Sequence, residues 1–314
     1  MNINKRKLLI PLLVLTTLFL ISSIGLAQDF PLTVTDDLDQ EIVMNEKPEK
    51  IISISPNMTE VLFAIGAGEN VIGVTTFANY PQEATKVDKI GTITEPNIEK
   101  IISMEPDLVI ASSVNKKETV ERLRELGINV AGFEAVSVNK AIENIKRIAT
   151  VTGYQEKGDK ITAEMYIKIA EIRNLVDEKL KINERPKVFY EIWNDPLFTA
   201  GANNFIDDLI HMAGGFNIGR LAEGSWPQYN LEKLLIENPD VYVSTPHSAD
   251  MEISKEQIKN RERFQPISAI QNDRVYIIDQ DIINRPSPRL VQGLALLTKA
   301  IYPELTEAVN NIVE

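Results

Sequence analysis

Asn97-Ile98-Glu99-Lys100-Ile101-Ile102 and Asn230-Leu231-Glu232-Lys233-Leu234-Leu235 carry one pattern twice: an asparagine suited to cap a helix, an acid in its first turn, and apolar residues at one-face spacing. The echo continues without a gap, because Pro106-Asp107-Leu108-Val109-Ile110 and Pro239-Asp240-Val241-Tyr242-Val243 stand at the same separation. Each copy reads as helix, turn, strand. Chance produces a few identities in a long chain, but rarely in the same predicted context. Two further landmarks recur in the same order: Lys50-Ile51-Ile52 with Lys187-Val188-Phe189, and Gly68-Glu69-Asn70-Val71-Ile72-Gly73 with Gly215-Phe216-Asn217-Ile218-Gly219. Two similar α/β lobes follow.

Outward from the first copy, strands and helices alternate. Lys50 to Ile54 is a β-branched run that stops at Ser55-Pro56-Asn57. A helix is expected from about Thr59, with Val61, Leu62 and Ile65 on one face and a stop at Gly66-Ala67-Gly68. Val71 to Val74 makes a short strand, and Ile98, Ile101 and Ile102 share a helical stripe. Leu108 to Ala111 is the next strand, Lys117 to Leu126 a helix ended by Gly127, and Ile128-Asn129-Val130 a further strand. Strands separated by helices imply a parallel sheet covered on both faces. Between the lobes, Ile161, Met165, Ile169, Ile172, Val176 and Leu180 recur at spacings of three or four. They predict one amphipathic helix of roughly 25 residues and about 38 Å, long enough to bridge two domains and to resist wide closure. The expected fold is therefore two α/β lobes, residues 28–154 and 186–314, joined by a linker helix over 155–185, with a ligand cleft between the lobes.

The first 27 residues read as an export signal: Lys5, Arg6 and Lys7 are basic, Leu8 to Ile24 is almost wholly apolar, and Gly25-Leu26-Ala27 suits cleavage after Ala27. A periplasmic, monomeric protein is expected. The sequence has no cysteine, so neither lipid attachment at a modified cysteine nor a disulfide is available, and stability must come from buried cores. With 45 acidic against 33 basic residues, the surface should repel nucleic acid and anionic lipid.

Candidates for enzymatic work are scarce. There are two histidines, His211 in a predicted helix and His247 in a loop, and no Gly-x-Ser-x-Gly or phosphate-loop sequence. No catalytic residue, resident cofactor or metal site is expected. Aromatic residues at strand ends are more telling, since such ends form the ligand crevice of open parallel sheets. Trp193 follows the Val188-to-Ile192 run, and Trp226 lies in Gly224-Ser225-Trp226-Pro227. Phe77 and Tyr80 lie in the equivalent loop of the first lobe. Each either anchors its own loop or offers a broad apolar face to a flat macrocycle. Arg285 sits in Asn284-Arg285-Pro286-Ser287-Pro288-Arg289, where two prolines stiffen the loop and hold its fork ready for a polar ligand group. Glu99 and Glu232 occupy equivalent first-turn positions. They either complement the helix dipole or form a symmetric pair suited to docking on a membrane dimer.

Taken together, Ser53-Ile54-Ser55-Pro56-Asn57-Met58-Thr59-Glu60, the two echoes, Phe198-Thr199-Ala200-Gly201, Ala213-Gly214-Gly215 and Pro288-Arg289 resemble the helical-backbone class of ABC-transporter solute-binding proteins. That class serves cobalamin, haem and iron-siderophore uptake. Phe77 with Tyr80-Pro81, Trp226-Pro227-Gln228 and Arg285-to-Arg289 look most like its cobalamin-binding members, although Ile93 stands where those can place an aromatic. The resemblance implies that Phe77, Trp226, Asp281 and Arg285 line a corrinoid cleft and that Glu99 and Glu232 meet arginines of an ABC permease dimer. Haem or an iron-siderophore is the alternative cargo. A metal-chelate-processing enzyme or a periplasmic sensor is the alternative of another class, because fold alone does not settle function.

Overall fold

The computed structural model describes residues 30–180, 185–246 and 254–314, so the expected signal segment and His247 lie outside the described residues. The first lobe opens with an antiparallel hairpin, β1 (Leu32–Thr35) and β2 (Glu41–Met44). Next come β3 (Ile51–Ser53), α1 (Pro56–Ala64), β4 (Val71–Val74), α2 (Ile98–Ser103), β5 (Leu108–Ser112), α3 (Lys117–Glu125), β6 (Val130–Phe133) and α4 (Val138–Val151). Strands β3 to β6 form a parallel sheet in the order β4-β3-β5-β6. All of β3 and β5 is buried, as helices on both faces require. Proline opens α1, where its missing N–H costs nothing, and Gly66, at φ +87°, supplies the left-handed turn beyond its end.

The linker α5 (Gln155–Lys179) is a single 25-residue helix. It buries Met165, Ile169, Ile172 and Val176 as its spacing predicts, and α4 approaches it so closely that a side chain at Gly158 would collide with Ala149.

The second lobe contains β7 (Lys187–Asn194), β8 (Leu197–Thr199), α6 (Phe205–Met212), β9 (Phe216–Asn217), α7 (Leu231–Glu237), β10 (Val241–Ser244), α8 (Lys255–Lys259), α9 (Ser268–Gln271), β11 (Val275–Ile277), α10 (Gln280–Ile283), α11 (Leu290–Ile301) and α12 (Thr306–Val313). Strands β9, β7, β10 and β11 pair in parallel, in the same order as β4-β3-β5-β6; β8 adds an antiparallel strand to the outer end of β7.

The sequence echo has a physical cause. Asn97 and Asn230 both cap their helices, accepting from the backbone N–H of Lys100 in one case and of Glu232 and Lys233 in the other. The aspartates of the two Pro-Asp turns each clamp the start of the central strand. Asp107 accepts from the N–H of Glu49 and Lys50, and Asp240 from that of Lys187, all at 2.8 Å. One apolar core runs from α1 and α4 of the first lobe through α5 into α6 and α11 of the second. Across the back of the molecule the Val138 N–H donates to Asp208 at 3.1 Å. The lobes are thus fused behind the cleft, which restricts them to small relative motions.

Two local expectations shift. The strand expected at Ile128 begins at Val130, because Gly127 turns left-handed (φ +81°) and the Ile128 N–H bonds back to the Leu123 carbonyl at 3.1 Å, outside the ladder. Ile102 is exposed, since α2 is only six residues long and presses Ile101 alone fully into the core.

Candidate ligand-binding cleft

Loops at the carboxyl ends of strands in the two sheets face and touch one another. The loop after β4, residues 75–81, presents Phe77 and Tyr80, which are 52% and 46% exposed; Trp193 and Trp226 in the second lobe are each 41% exposed. Each ring thus leaves apolar area accessible to a partner, while Tyr80 also lies against Arg289 and Trp226 against Phe205.

Trp193 does not follow its strand as expected. It lies within β7, opposite Phe198 of β8, because β7 continues beyond the parallel ladder into a hairpin. Its indole N–H donates to the Asp195 carbonyl at 2.8 Å. The Trp226 loop is fastened to the same hairpin: Thr199 N–H donates to Pro227 O at 3.1 Å, and Gly201 N–H to Ser225 O at 2.9 Å. A Cβ at Gly201 would overlap the Gly224 carbonyl oxygen, so this close approach needs glycine. Phe205 meets Trp226 edge-on, with ring centroids 6.4 Å apart.

The polar side of the cleft is a clasp between lobes that the sequence reading did not anticipate. Glu60, on α1 and only 3% exposed, receives three side chains of the second lobe. Arg285 donates at 3.0 Å, Ser287 Oγ at 2.7 Å, and Arg289 grips both carboxylate oxygens, with its Nε at 2.9 Å. A buried carboxylate needs this compensation, and two arginines supply it. Burial alone would lower the Arg289 pKa; the hydrogen bond and charge of Glu60 outweigh it and hold the guanidinium above its ordinary value. The same guanidinium lies 4.2 Å from the Tyr80 ring centroid, so Tyr80 is held against the second lobe.

Arg285 is therefore not the uncommitted fork that its loop suggested. Besides Glu60 it binds the Asn79 side-chain oxygen at 2.7 Å, the Phe77 carbonyl at 3.3 Å and the Asp281 carboxylate at 2.7 Å. Asp281, on α10, also accepts from Asn79 at 2.6 Å. The structure thus brings Phe77, Tyr80, Asp281 and Arg285 together, and separately joins Trp193 and Trp226 through β8. Glu60, Asn79, Ser287 and Arg289 were missed as site residues. A signal existed: Glu60 is an acid between the buried Met58 and Val61 of an apolar helix, and buried acids require partners.

Glu99 and Glu232 lie away from this clasp, exposed in the first turns of α2 and α7; Glu232 pairs with Arg263 of its own lobe. His211 is on the exposed face of α6. A cavity of about 170 Å³ under the β1–β2 hairpin, lined by Leu38, Ser112, Asn115 and Phe133, includes none of the candidate residues. It falls below the roughly 300 Å³ at which drug-sized ligand pockets begin.

A family model described as periplasmic binding protein matches residues 51–282. The chain belongs to that family. An ABC transporter substrate-binding lipoprotein of Bacillus subtilis (strain 168) is 31% identical over 280 residues, covering 88% of this chain and 87% of the relative. A cobalamin-binding protein of Halobacterium salinarum is 29% identical over 287 residues, 88% of this chain and 75% of the relative. Among solved structures, the periplasmic haem-binding protein of Roseiflexus sp. RS-1 superposes with a TM-score of 0.73 at 26% identity, over 81% of this chain and 98% of that one. The single interlobe helix and the paired α/β lobes place this periplasmic binding protein in the helical-backbone class that the sequence resembles. Its members bind substrates for ABC importers.

Proposed function

We propose that this periplasmic binding protein is exported, captures a cobalamin-like corrinoid between its lobes, and delivers it as a monomer to the permease dimer of an ABC importer. The observation that carries the ligand is the set of four half-exposed aromatic rings: Phe77 and Tyr80 in the loop after β4, Trp193 in the β7–β8 hairpin, and Trp226 in the loop fastened to that hairpin. Flat ring faces suit the faces and edges of a rigid macrocycle. The cobalamin-binding relative supports the same reading. The corrinoid is cargo, so binding and release require no catalytic residue and no resident cofactor. Haem is the second reading, favoured by the haem-binding structural neighbour.

Ligand that binds only the assembled cleft raises the melting temperature by mass action. The expected result is a clear rise with a corrinoid, present at about 100 times its Kd, equivalent to about 2.7 kcal/mol. Haem or a ferric siderophore at the same concentration should give little shift. A rise with haem alone favours the second reading and contradicts the first.

Trp226→Ala should weaken corrinoid binding by about 1–3 kcal/mol, the scale for truncated interface aromatics. Thermal stability should fall less, because the loop is held by the backbone bonds of Ser225 and Pro227 rather than by the indole. Titration of the folded variant checks this. Normal affinity with a large drop in melting temperature would make Trp226 a loop anchor.

A further inference from the structure

The helices that carry Glu99 and Glu232 are each tied, by the very next residue, to a segment that supports aromatic rings of the cleft. Lys100 and Lys233 hold equivalent places in the echo, and both are half-buried. Lys100 Nζ donates to the Lys89 carbonyl at 2.9 Å, and Lys233 Nζ donates to the Leu221 carbonyl. A charged donor holds such a carbonyl more firmly than a neutral one. In the first lobe the Lys89 side chain carries the link onward beneath Phe77 and Tyr80, donating to the Ala84 carbonyl at 3.0 Å and the Ala78 carbonyl at 3.4 Å. The backbone takes the same course. Thr76 N–H donates to Gly91 O at 2.9 Å, and Asn97 N–H, at the cap of α2, donates to Ile90 O at 2.7 Å. A Cβ at Gly91 would come within 2.7 Å of the Glu95 carbonyl oxygen and 3.0 Å of the Asn97 nitrogen, so the turn between loop and cap has no slack. The second lobe needs a shorter path, because only Pro227, Gln228 and Tyr229 separate Trp226 from the cap Asn230. Tyr229 N–H donates to Leu197 O at 2.7 Å, its buried ring lies 5.6 Å from the Lys233 ammonium, and Leu221 ends the turn from which the Trp226 loop departs.

We infer that Lys100 and Lys233 are positioning residues that couple each of these helices to the aromatic loop of its own lobe, so that filling the cleft stiffens the surface offered to the permease. This rests on the docking reading of Glu99 and Glu232 and deepens it. Cargo that packs on Phe77, Tyr80 and Trp226 removes freedom from their loops, and a helix whose cap and lysine are bonded to the same segments loses freedom with them. Such coupling is reciprocal. A partner that grips the helices changes the affinity of the cleft by the same factor by which cargo changes the partner's. Each lobe carries its own link, so the two links can be cut separately.

The test reads amide hydrogen exchange in the full mature chain, without a permease, for peptides spanning 97–104 and 230–238, free and saturated with cobalamin. In wild type, cargo should slow exchange in both peptides by about 5-fold or more, the lower end of ordinary coupling between sites. Lys100→Met keeps the apolar stem and removes the donor; it should bring the slowing at 97–104 below about 2-fold and leave that at 230–238 as in wild type. Lys233→Met should do the converse, and Lys100→Arg, which keeps a charged donor, should restore the response. A lysine that merely held its helix together would speed exchange alike in the free and the cargo-bound variant, leaving their ratio unchanged. No slowing in wild type at saturating cargo, or a slowing at 97–104 that survives Lys100→Met, overturns the inference. Absorbance of the same samples reports the bound cargo. A chain that retains haem in place of cobalamin therefore overturns the corrinoid reading, while exchange read with haem still decides the coupling. Failure of the docking reading shows in uptake instead, where no exchange measurement enters.

Discussion

Import through a reconstituted permease is expected to stop when Glu99 and Glu232 are both replaced by Arg, while corrinoid affinity in solution stays nearly unchanged. Both carboxylates are exposed at corresponding places in the two lobes, on helices whose caps, Asn97 and Asn230, are also equivalent. Neither touches the clasp that joins the lobes. A symmetric permease dimer offering one cation per subunit would meet one carboxylate per lobe, and reversing both signs turns attraction into repulsion worth several kcal/mol. The lobes differ in one respect, because Glu232 already holds Arg263 and must exchange that partner on docking. Such an exposed pair is screened by solvent and weak, so the exchange is no barrier. If the two acids serve only the helix dipoles, the double variant loses about 1–2 kcal/mol of stability and transport falls only as folded protein is lost. Uptake at equal concentrations of folded protein separates these accounts. Normal uptake by the double variant would leave both residues as ordinary first-turn acids.

Glu60→Ala is expected to be the most destabilising single change in the cleft. It removes the carboxylate partner of the largely buried Arg289 guanidinium and leaves Arg285 with Asp281 alone. Breaking a buried pair by removing one partner typically costs about 3–5 kcal/mol, through the stranded charge rather than the lost bond. Ligand affinity should fall as well, because Arg285 loses the anchor that aims it at the cleft. Glu60→Gln keeps an acceptor for Ser287 and one arginine and should lose less of both. Urea unfolding followed by corrinoid titration measures the two effects. A loss below about 1 kcal/mol in Glu60→Ala would show that the clasp is solvated and contributes little.

What could be read from the sequence was what short spans of chain determine. The capping asparagines, the Pro-Asp clamps and the apolar spacing of the linker each work within a few residues or through one neighbouring strand. The echo between lobes therefore survives in the residues that do these jobs. The clasp could not be read in this way, because Glu60 meets Arg289 across 229 positions of chain, and neither residue's neighbours disclose the other. From its proline-stiffened loop Arg285 is expected to be free, and nothing local shows the partners inside the protein that already engage it. Trp193 was misplaced for a related reason. Its run reads as a buried parallel strand, and nothing local shows that the strand outruns its neighbours and pairs with β8. Asn79, in an exposed loop, carries no sequence signal; only the lobe opposite gives its amide a role.

The most direct test of the account is the absorbance spectrum of the purified mature chain after incubation with a corrinoid, with haem and with a ferric siderophore in separate samples, followed by desalting. Retention of the corrinoid chromophore at one per chain, with the haem and siderophore bands lost to the column, is the predicted result. Retention of haem or siderophore while the corrinoid passes through would contradict it.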